Sequence, residues 1–137
     1  MKTLPRLGTW CVSALVAGLV CWAGSAQAQT AVAPAAGDGS LASPFQISEL
    51  GNLVWMGDHV DASSGTYYTV QNDIDASDTT NWTGGFSPIG ITSTNFTGIF
   101  DGNGKVINGL TINRPGQDYV GLFGCVGGGG VVKDLGL

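Results

Sequence analysis

The sequence predicts an all-β protein, a right-handed parallel β-solenoid (β-helix) with a short N-terminal capping helix. Three observations lead to this fold class. The 137 residues include 23 glycines and many Asn, Asp, Ser and Thr residues, which favour tight turns over long helices. Apolar residues come in short runs between these turns. Similar segments also recur at a spacing of about 23 residues, which is typical of a repeat architecture.

The repeat is clearest in the last third of the chain. The segment GIFDGNG (98–104) aligns with GLFGCVG (121–127), and VINGLTI (106–112) aligns with VVKDLGL (131–137). A weaker copy is VQNDIDA (70–76), with Ile74 where Leu110 and Leu135 stand. One such unit cannot bury its own apolar face, but stacked units can. The alignment predicts that Leu135 and Leu137 stack on Leu110 and Ile112.

The first 28 residues have the pattern of a secretory signal peptide. Lys2 and Arg6 precede an apolar run over 10–24, and Ala26-Gln27-Ala28 supplies a small-x-small cleavage site. The run is shorter than the roughly 20 apolar residues that span a bilayer, although a retained anchor is the alternative. We expect Sec export and no membrane span after cleavage. Residues 29–39 are predicted to be a linker, 40–66 the N-terminal strand and capping helix, and 67–137 the solenoid repeats.

The capping helix is predicted from one amphipathic stretch. Ser48 is a suitable N-cap, Leu50, Leu53 and Val54 share one helical face, and Gly57 is a suitable end.

Charge and cysteine content limit the partners and the source of stability. After cleavage three basic residues remain against ten acidic ones, a net charge of −7, which argues against nucleic-acid binding. Cys125 is then the single cysteine, so no intramolecular disulfide can form. It is interpreted as a small buried hydrophobe, with a reactive or intermolecular thiol as the alternative.

No catalytic or cofactor-binding residue is predicted. The GK pair at Gly104 lacks the Walker pattern, because Ile99 and Val106 stand where a glycine and a Ser or Thr are required. A zinc-protease HExxH motif is absent, since Val60 follows the single histidine, His59. No cofactor is expected.

Two surface features leave alternatives open. Asp73, Asp75 and Asp78 are candidate calcium ligands, with solvated turn carboxylates as the main interpretation. Asp73 and Asp75 would also lie about 6.5–7 Å apart on a strand, a spacing that glycosidases tolerate. The second feature is a group of aromatic residues, Tyr67, Tyr68, Trp82 and Phe86. Their main interpretation is core packing, and the alternative is an exposed platform on which sugars stack.

The glycine-rich end of the chain also resembles a known family. Residues 121–124, GLFG, are similar to the GLUG motif. Four segments precede it in the order typical of GLUG-containing bacterial surface proteins: SPFQIS, NDID, NWTGGFSPIG and FTGIFDGNGKVINGLTINRP. The resemblance covers about 39–137, with the motif repeat at about 119–137. The structural motif residues are Gly98, Phe100, Gly104, Leu110, Ile112, Gly121, Leu122, Phe123, Gly124, Leu135 and Leu137.

The resemblance implies a function for the chain. Relatives of this kind include filamentous-haemagglutinin-like adhesins and the extracellular regions of IgA-specific zinc metallopeptidases. It implies a non-catalytic structural or adhesive module, secreted or on the outer surface of a Gram-negative bacterium. The alternative is the N-terminal scaffold of a larger secreted zinc metallopeptidase or polysaccharide-active enzyme.

The resemblance and the repeats also suggest partners. A host or cell-surface protein or glycan is expected. Relatives usually continue through many more repeats, so the chain is expected to be an N-terminal fragment. Its open end would contact downstream repeats or a second copy.

The signal-peptide interpretation gives the first testable prediction. Mass spectrometry of the exported protein should find Gln29, free or cyclised, at the N-terminus. An exported protein that still begins at Met1 would contradict this interpretation.

Overall fold

The fold is built from short strands and one α-helix. A computed structural model describes residues 29–60 and 64–137, so the predicted signal peptide (1–28) lies outside the described residues. The elements in chain order are β1 (Phe45–Ile47), α1 (Leu50–Asp58), β2 (Tyr67–Val70), β3 (Ile74–Asp75), a 3₁₀ helix (Ser77–Asn81), β4 (Ile99–Asn108) and β5 (Val131–Gly136).

The predicted all-β, right-handed parallel β-solenoid with a capping helix was wrong. In the described ranges the chain is a small mixed α/β domain, with one α-helix and a five-stranded parallel sheet. The helix is not a peripheral cap, because Leu53 and Met56 are buried in the same apolar core as the sheet residues. The sequence predicts regular stacked strands with the helix at one end. In the structure the strands are short and irregularly connected, and α1 contributes to the core.

β4 is the central strand of the sheet. Its first residues pair with β2 and β5, through Tyr68↔Phe100 and Phe100↔Val132. Since β2 and β5 use the same residues of β4, they lie on its opposite sides. β1 extends the sheet beyond β2, and β3 pairs with the far end of β4 through Ile74↔Ile107.

The strand register differs from the repeat read in the sequence. Tyr68, Phe100 and Val132 are paired neighbours that stand 32 positions apart, not 23. Leu135 pairs with Lys105 and not with Leu110, so the predicted stacking of Leu135 on Leu110 was wrong. The spacing of 23 matched two Gly-Phe segments in different surroundings, because one starts β4 and the other lies in the connection to β5.

The core lies between the sheet and the long connections. Its fully buried large side chains are Phe86, Phe96, Phe100, Ile47, Leu53, Met56, Ile74, Ile89, Ile107 and Val70. Phe86, Ile89 and Phe96 come from the connection between the 3₁₀ helix and β4, which contains only isolated bridges. Irregular backbone therefore supplies much of the apolar packing.

Helix α1 starts one residue later than predicted. Glu49 is the N-cap, in an extended conformation, instead of Ser48. The Asn52 side chain accepts hydrogen bonds from the backbone N–H groups of Ser48 and Glu49 at 2.9 and 3.2 Å. The first turn is therefore fixed from within the helix. No helix in the described residues is long and apolar enough to cross a membrane.

The outer edge of β1 is covered by residues 36–43. The backbone N–H of Gln46 donates to the Ala36 carbonyl at 3.0 Å, and those of Asp38 and Gly39 donate to Ser43. Gly37 allows this approach, because a Cβ there would stand 2.0 Å from the Pro44 oxygen. The first part of this cover falls in segment 29–39, for which the sequence predicts a linker.

A second prediction concerns the contact between β4 and β5. A Cβ on Gly102 would stand 2.4 Å from the Asp134 oxygen and 2.6 Å from Leu135 Cα, both backbone atoms. Gly102→Ala should therefore push the strands apart and lower the free energy of unfolding by about 1–3 kcal/mol, measured by urea denaturation.

Gly128→Ala is the matched control. Its Cβ would meet open space and its φ is not positive, so stability should stay constant or rise by up to about 1 kcal/mol. Equal effects of the two substitutions would contradict this packing of β4 against β5.

Candidate functional site

The most distinctive surface is the outer edge of β5, which we call the β5 edge (residues 131–137). β5 pairs with β4 on one side, and none of the strands in the described ranges lies on its other side. Parallel pairing uses alternate residues on each side, so half of the β5 backbone groups point outward from the sheet. An exposed row of such groups is a template for another strand.

The side chains of the β5 edge are also unusually apolar for an exposed strand. Val131 and Val132 are 43% and 37% exposed, and Leu137 is 74% exposed. Val132 belongs to the same row as Tyr68 and Phe100, which are 3% and 0% exposed. Val132 therefore occupies a core-type position that remains partly open. Covering a side chain of this size contributes about 1.5–3 kcal/mol at full burial.

A groove adjoins the end of the β5 edge. Its volume is about 470 Å³ and its lining is mainly apolar. The lining residues are Ile107, Gly109, Leu110, Ile112, Val120, Gly121, Leu122 and Leu137. Four of the predicted motif residues thus surround one groove instead of stacking along neighbouring strands: Leu110, Ile112, Leu122 and Leu137.

A salt bridge links β5 to β4. Lys133 Nζ lies 2.9 Å from Asp101 Oδ2, and both side chains are partly exposed. The hydrogen bond from Lys133 lowers the pKa of the Asp101 carboxyl below its ordinary value, and the backbone N–H of Asn103 acts in the same direction. The hydrogen bond to Asp101 likewise raises the pKa of Lys133. Such exposed pairs contribute little stability. This one fixes the orientation of the polar side chains beside the β5 edge.

An irregularity divides the β4–β5 pairing into two parts. The register shifts between Asp101 and Lys105 of β4. Asn103 and Asp134 both have a left-handed backbone, with φ of 53° and 54°. Asn is one of the residues that tolerates this conformation best, and its Nδ2 donates to the Val70 carbonyl at 3.1 Å. The bend limits the straight part of the β5 edge to Val131–Lys133.

Two of the three candidate calcium ligands, Asp73 and Asp75, accept backbone hydrogen bonds. Asp73 Oδ1 accepts from the Val106 N–H at 2.9 Å, which links the turn before β3 to β4. Asp75 Oδ1 accepts from the Ser77 N–H at 2.9 Å, and hydrogen bonds from the Ser77 side chain and backbone lower its pKa. Asp78 is exposed in the 3₁₀ helix. Among residues 29–60 and 64–137, no three His, Cys, Asp or Glu side chains are arranged to hold a metal ion.

The aromatic residues considered for sugar stacking are separated by burial. Tyr68 and Phe86 lie in the core, and burial raises the pKa of the Tyr68 hydroxyl. Trp82 is half-buried and stacks on Phe86 with ring centroids 6.5 Å apart. Tyr67 is half-buried on β2. Core packing explains Tyr68, Trp82 and Phe86, so these four residues do not form one exposed platform.

The GLUG-like residues form a bent segment packed on the core. Leu122 is 4% exposed, and its carbonyl accepts from the Ile89 N–H at 2.8 Å. Phe123 contacts the rings of Phe96 and Phe100, at centroid distances of 4.9 and 5.2 Å. A Cβ on Gly124 would stand 2.4 Å from the Gly90 oxygen. The motif is therefore a packing element.

The remaining sequence-predicted positions have structural surroundings. Gly98 is buried, and its carbonyl accepts from the Val131 N–H at 2.9 Å. Gly104 has a φ of 68° in the bend of β4. Cys125 is a free, half-buried thiol, and His59 stacks on Trp55 with ring centroids 4.3 Å apart.

Sequence reasoning missed two features of this surface. One is the Asp101–Lys133 pair, whose members stand 32 positions apart like the other strand neighbours. The other is segment 29–39, where the Gln29 side chain donates to the Gly85 carbonyl at 3.1 Å and the Val32 N–H donates to Gly51. The first could have been found by testing a spacing of 32. The second has no clear sequence signal.

Two named proteins are similar to this chain. Halomucin of Haloquadratum walsbyi is 38% identical over 104 residues, which cover 72% of this chain. A protein of Evansella cellulosilytica that is named as a Gly-rich membrane protein is 34% identical over 104 residues, which cover 75% of this chain. The chain spans about 1% and 12% of the length of these relatives. No family model and no solved structure matches it.

A third prediction follows from the β5 edge. Residues 29–137 should self-associate reversibly, because pairing of the edge removes Val131 and Val132 from water. Val131→Lys places a charge on the edge and should weaken association roughly tenfold, which corresponds to about 1.4 kcal/mol. Sedimentation velocity over a range of concentrations measures this.

Leu41→Lys is the matched control. Leu41 is 72% exposed but lies in the segment that covers the opposite edge, so its replacement should leave association unchanged. A monomer at every concentration, or equal effects of both lysines, would contradict the assignment to the β5 edge.

Proposed function

We propose that this chain is a non-catalytic structural or adhesive module of an exported bacterial surface protein of the GLUG-containing type. The observation that carries the proposal is the β5 edge, where an apolar strand and the adjoining groove are presented to solvent. Such a surface suits association with other proteins better than catalysis. The similarity to parts of much longer proteins agrees with a module of a larger assembly.

The location is proposed from the sequence and from the relatives. One relative is named as a membrane protein, which supports a membrane-associated or surface location for this chain too. The predicted signal peptide supports Sec export, and the GLUG resemblance supports the outer surface of a Gram-negative bacterium. We therefore place the β5 edge outside the cytoplasm.

The partners follow from the same surface. The first partner is another β-strand, supplied by a further segment of a longer protein or by a second copy. Exposed side chains outside the β5 edge then remain available to bind a host or cell-surface protein or glycan. The mature net charge of −7 disfavours nucleic acid as a partner.

The proposal excludes a catalytic role for the aspartates. A glycosidase needs one carboxyl as acid and another as nucleophile or base. Asp73 and Asp75 each accept a backbone N–H, and Asp101 is paired with Lys133. These contacts give all three carboxylates a structural use, which supports a scaffold over an active site.

The location is tested by antibody labelling of intact cells. Antibodies against residues 29–137 should label intact cells as strongly as permeabilised ones, while a cytoplasmic control protein is labelled after permeabilisation only. Labelling that requires permeabilisation would contradict the surface assignment. Deletion of the β5 segment should leave export intact but reduce attachment to host or abiotic surfaces, which separates location from role.

A further inference from the structure

Two asparagines of the sequence stand in the pattern Asn-x-Thr. They are Asn81, in Asn81-Trp82-Thr83, and Asn95, in Asn95-Phe96-Thr97. This pattern is the acceptor for N-glycosylation, which requires a surface position in an exported protein. The pattern alone matches many asparagines that are never modified. The surroundings of the two residues decide which of them a transferase can reach.

Asn81 lies at an exposed and well-anchored turn. It ends the 3₁₀ helix, and both Asn81 and Thr83 are exposed. Thr79, which is fully buried, anchors this helix to the core. Its hydroxyl donates to the Ala76 carbonyl at 2.6 Å and accepts from the Thr111 N–H at 2.8 Å. The position of Asn81 on the surface is therefore set by core contacts.

The residue between the acceptor and the threonine points the other way. Trp82 is half-buried and stacks on the buried ring of Phe86. The turn continues with the Trp82 N–H donating to Thr79 and the Gly85 N–H donating to Trp82, at 3.2 and 3.0 Å. With Trp82 directed inward, the Asn81 amide and the Thr83 hydroxyl are both left at the surface, where one enzyme site can bind both.

Asn95 is in the opposite situation. Its Oδ1 atom is buried and has no hydrogen-bond partner in the described part of the chain. A Cβ on Gly127 would stand 2.6 Å from Asn95 Cβ and 2.7 Å from Asn95 Nδ2. Gly127 therefore lies directly against the half-buried Asn95 amide, and a sugar on Nδ2 would have to avoid or displace the backbone at Gly127.

We propose that Asn81 is an N-glycosylation site and that Asn95, although it has the same pattern, is not. The donor is a sugar activated as a glycosyl diphosphate, used by an asparagine glycosyltransferase. The Asn81 Nδ2 atom forms a bond to the anomeric carbon of the sugar. The bond from that carbon to the phosphate oxygen breaks, its electron pair leaves with the diphosphate, and one Nδ2 proton passes to a base of the transferase.

The proposal goes beyond the surface role and does not depend on the β5 edge. It is tested on the full chain in the cells that produce it, after separation of exported and cytoplasmic fractions. The protein is digested so that Asn81 and Asn95 fall on different peptides, which are examined by tandem mass spectrometry. The expected result is a sugar mass on the Asn81 peptide and an unmodified Asn95 peptide.

Three variants make the assignment specific. Asn81→Gln and Thr83→Ala should each abolish the modification, because one removes the acceptor and the other the hydroxyl that the transferase reads. Asn95→Gln should leave it unchanged. Both Asn81 and Thr83 are exposed, so their replacement should not affect folding, which thermal melting of each variant checks.

The outcomes separate this proposal from the surface assignment. An unmodified Asn81 peptide in every fraction overturns the glycosylation site, whatever the location of the protein. Sugar on Asn95, or sugar that persists in Asn81→Gln, overturns it as well. Modified Asn81 on protein found in the cytoplasmic fraction alone supports the site and contradicts the surface assignment.

Discussion

The parallel pairing of β4 with three other strands is the constraint on which the rest of the structure depends. Parallel neighbours cannot be joined by a two-residue hairpin, so the chain must travel a long way between β3 and β4 and again between β4 and β5. These connections are almost devoid of regular structure. They fold because they contribute Phe86, Ile89 and Phe96, and then Leu122 and Phe123, to the core.

The same constraint explains why several polar side chains form hydrogen bonds with the protein's own backbone. Irregular connections leave backbone N–H groups without ladder partners, and such groups must be satisfied. Thr79 accepts from the N–H of Thr111, which lies in the connection after β4. Asp73, in the turn before β3, likewise accepts from the N–H of Val106 in β4. Asp73 and Asp75, which look like ligands in the sequence, thus form hydrogen bonds within the fold. The GLUG-like segment also has a structural role, since its glycines permit close backbone approach and its Leu122 and Phe123 pack on the core.

Part of this arrangement could be predicted from the sequence. The helix near Leu50–Val54, the short strands and the exposure of Asp73 and Asp75 on either side of buried Ile74 follow from periodicity. The fold class and the register could not be predicted, because they depend on the path of connections that have no periodic pattern. Matching Gly-Phe segments indicated a spacing of 23, whereas the strands pair mainly at 32. The groove beside β5 could not be predicted either, because Leu110, Ile112 and Leu122 are brought together by irregular backbone.

The two ends of the sheet differ in a way that limits assembly. A chain with two free edges could add copies head to tail, and such contacts produce filaments when they do not close into a ring. Here the Ala36 carbonyl accepts from the Gln46 N–H and segment 36–43 covers β1, while none of the other described strands pairs with the outer side of β5. Two copies of residues 29–137 that pair through the β5 edge would therefore meet like edge to like edge. That geometry is a twofold pair, in which each copy contributes its own β5 edge. The hydrogen bonds around Ala36 and Ser43, at the opposite side of the domain, thus work against the extension of such a pair into a fibre.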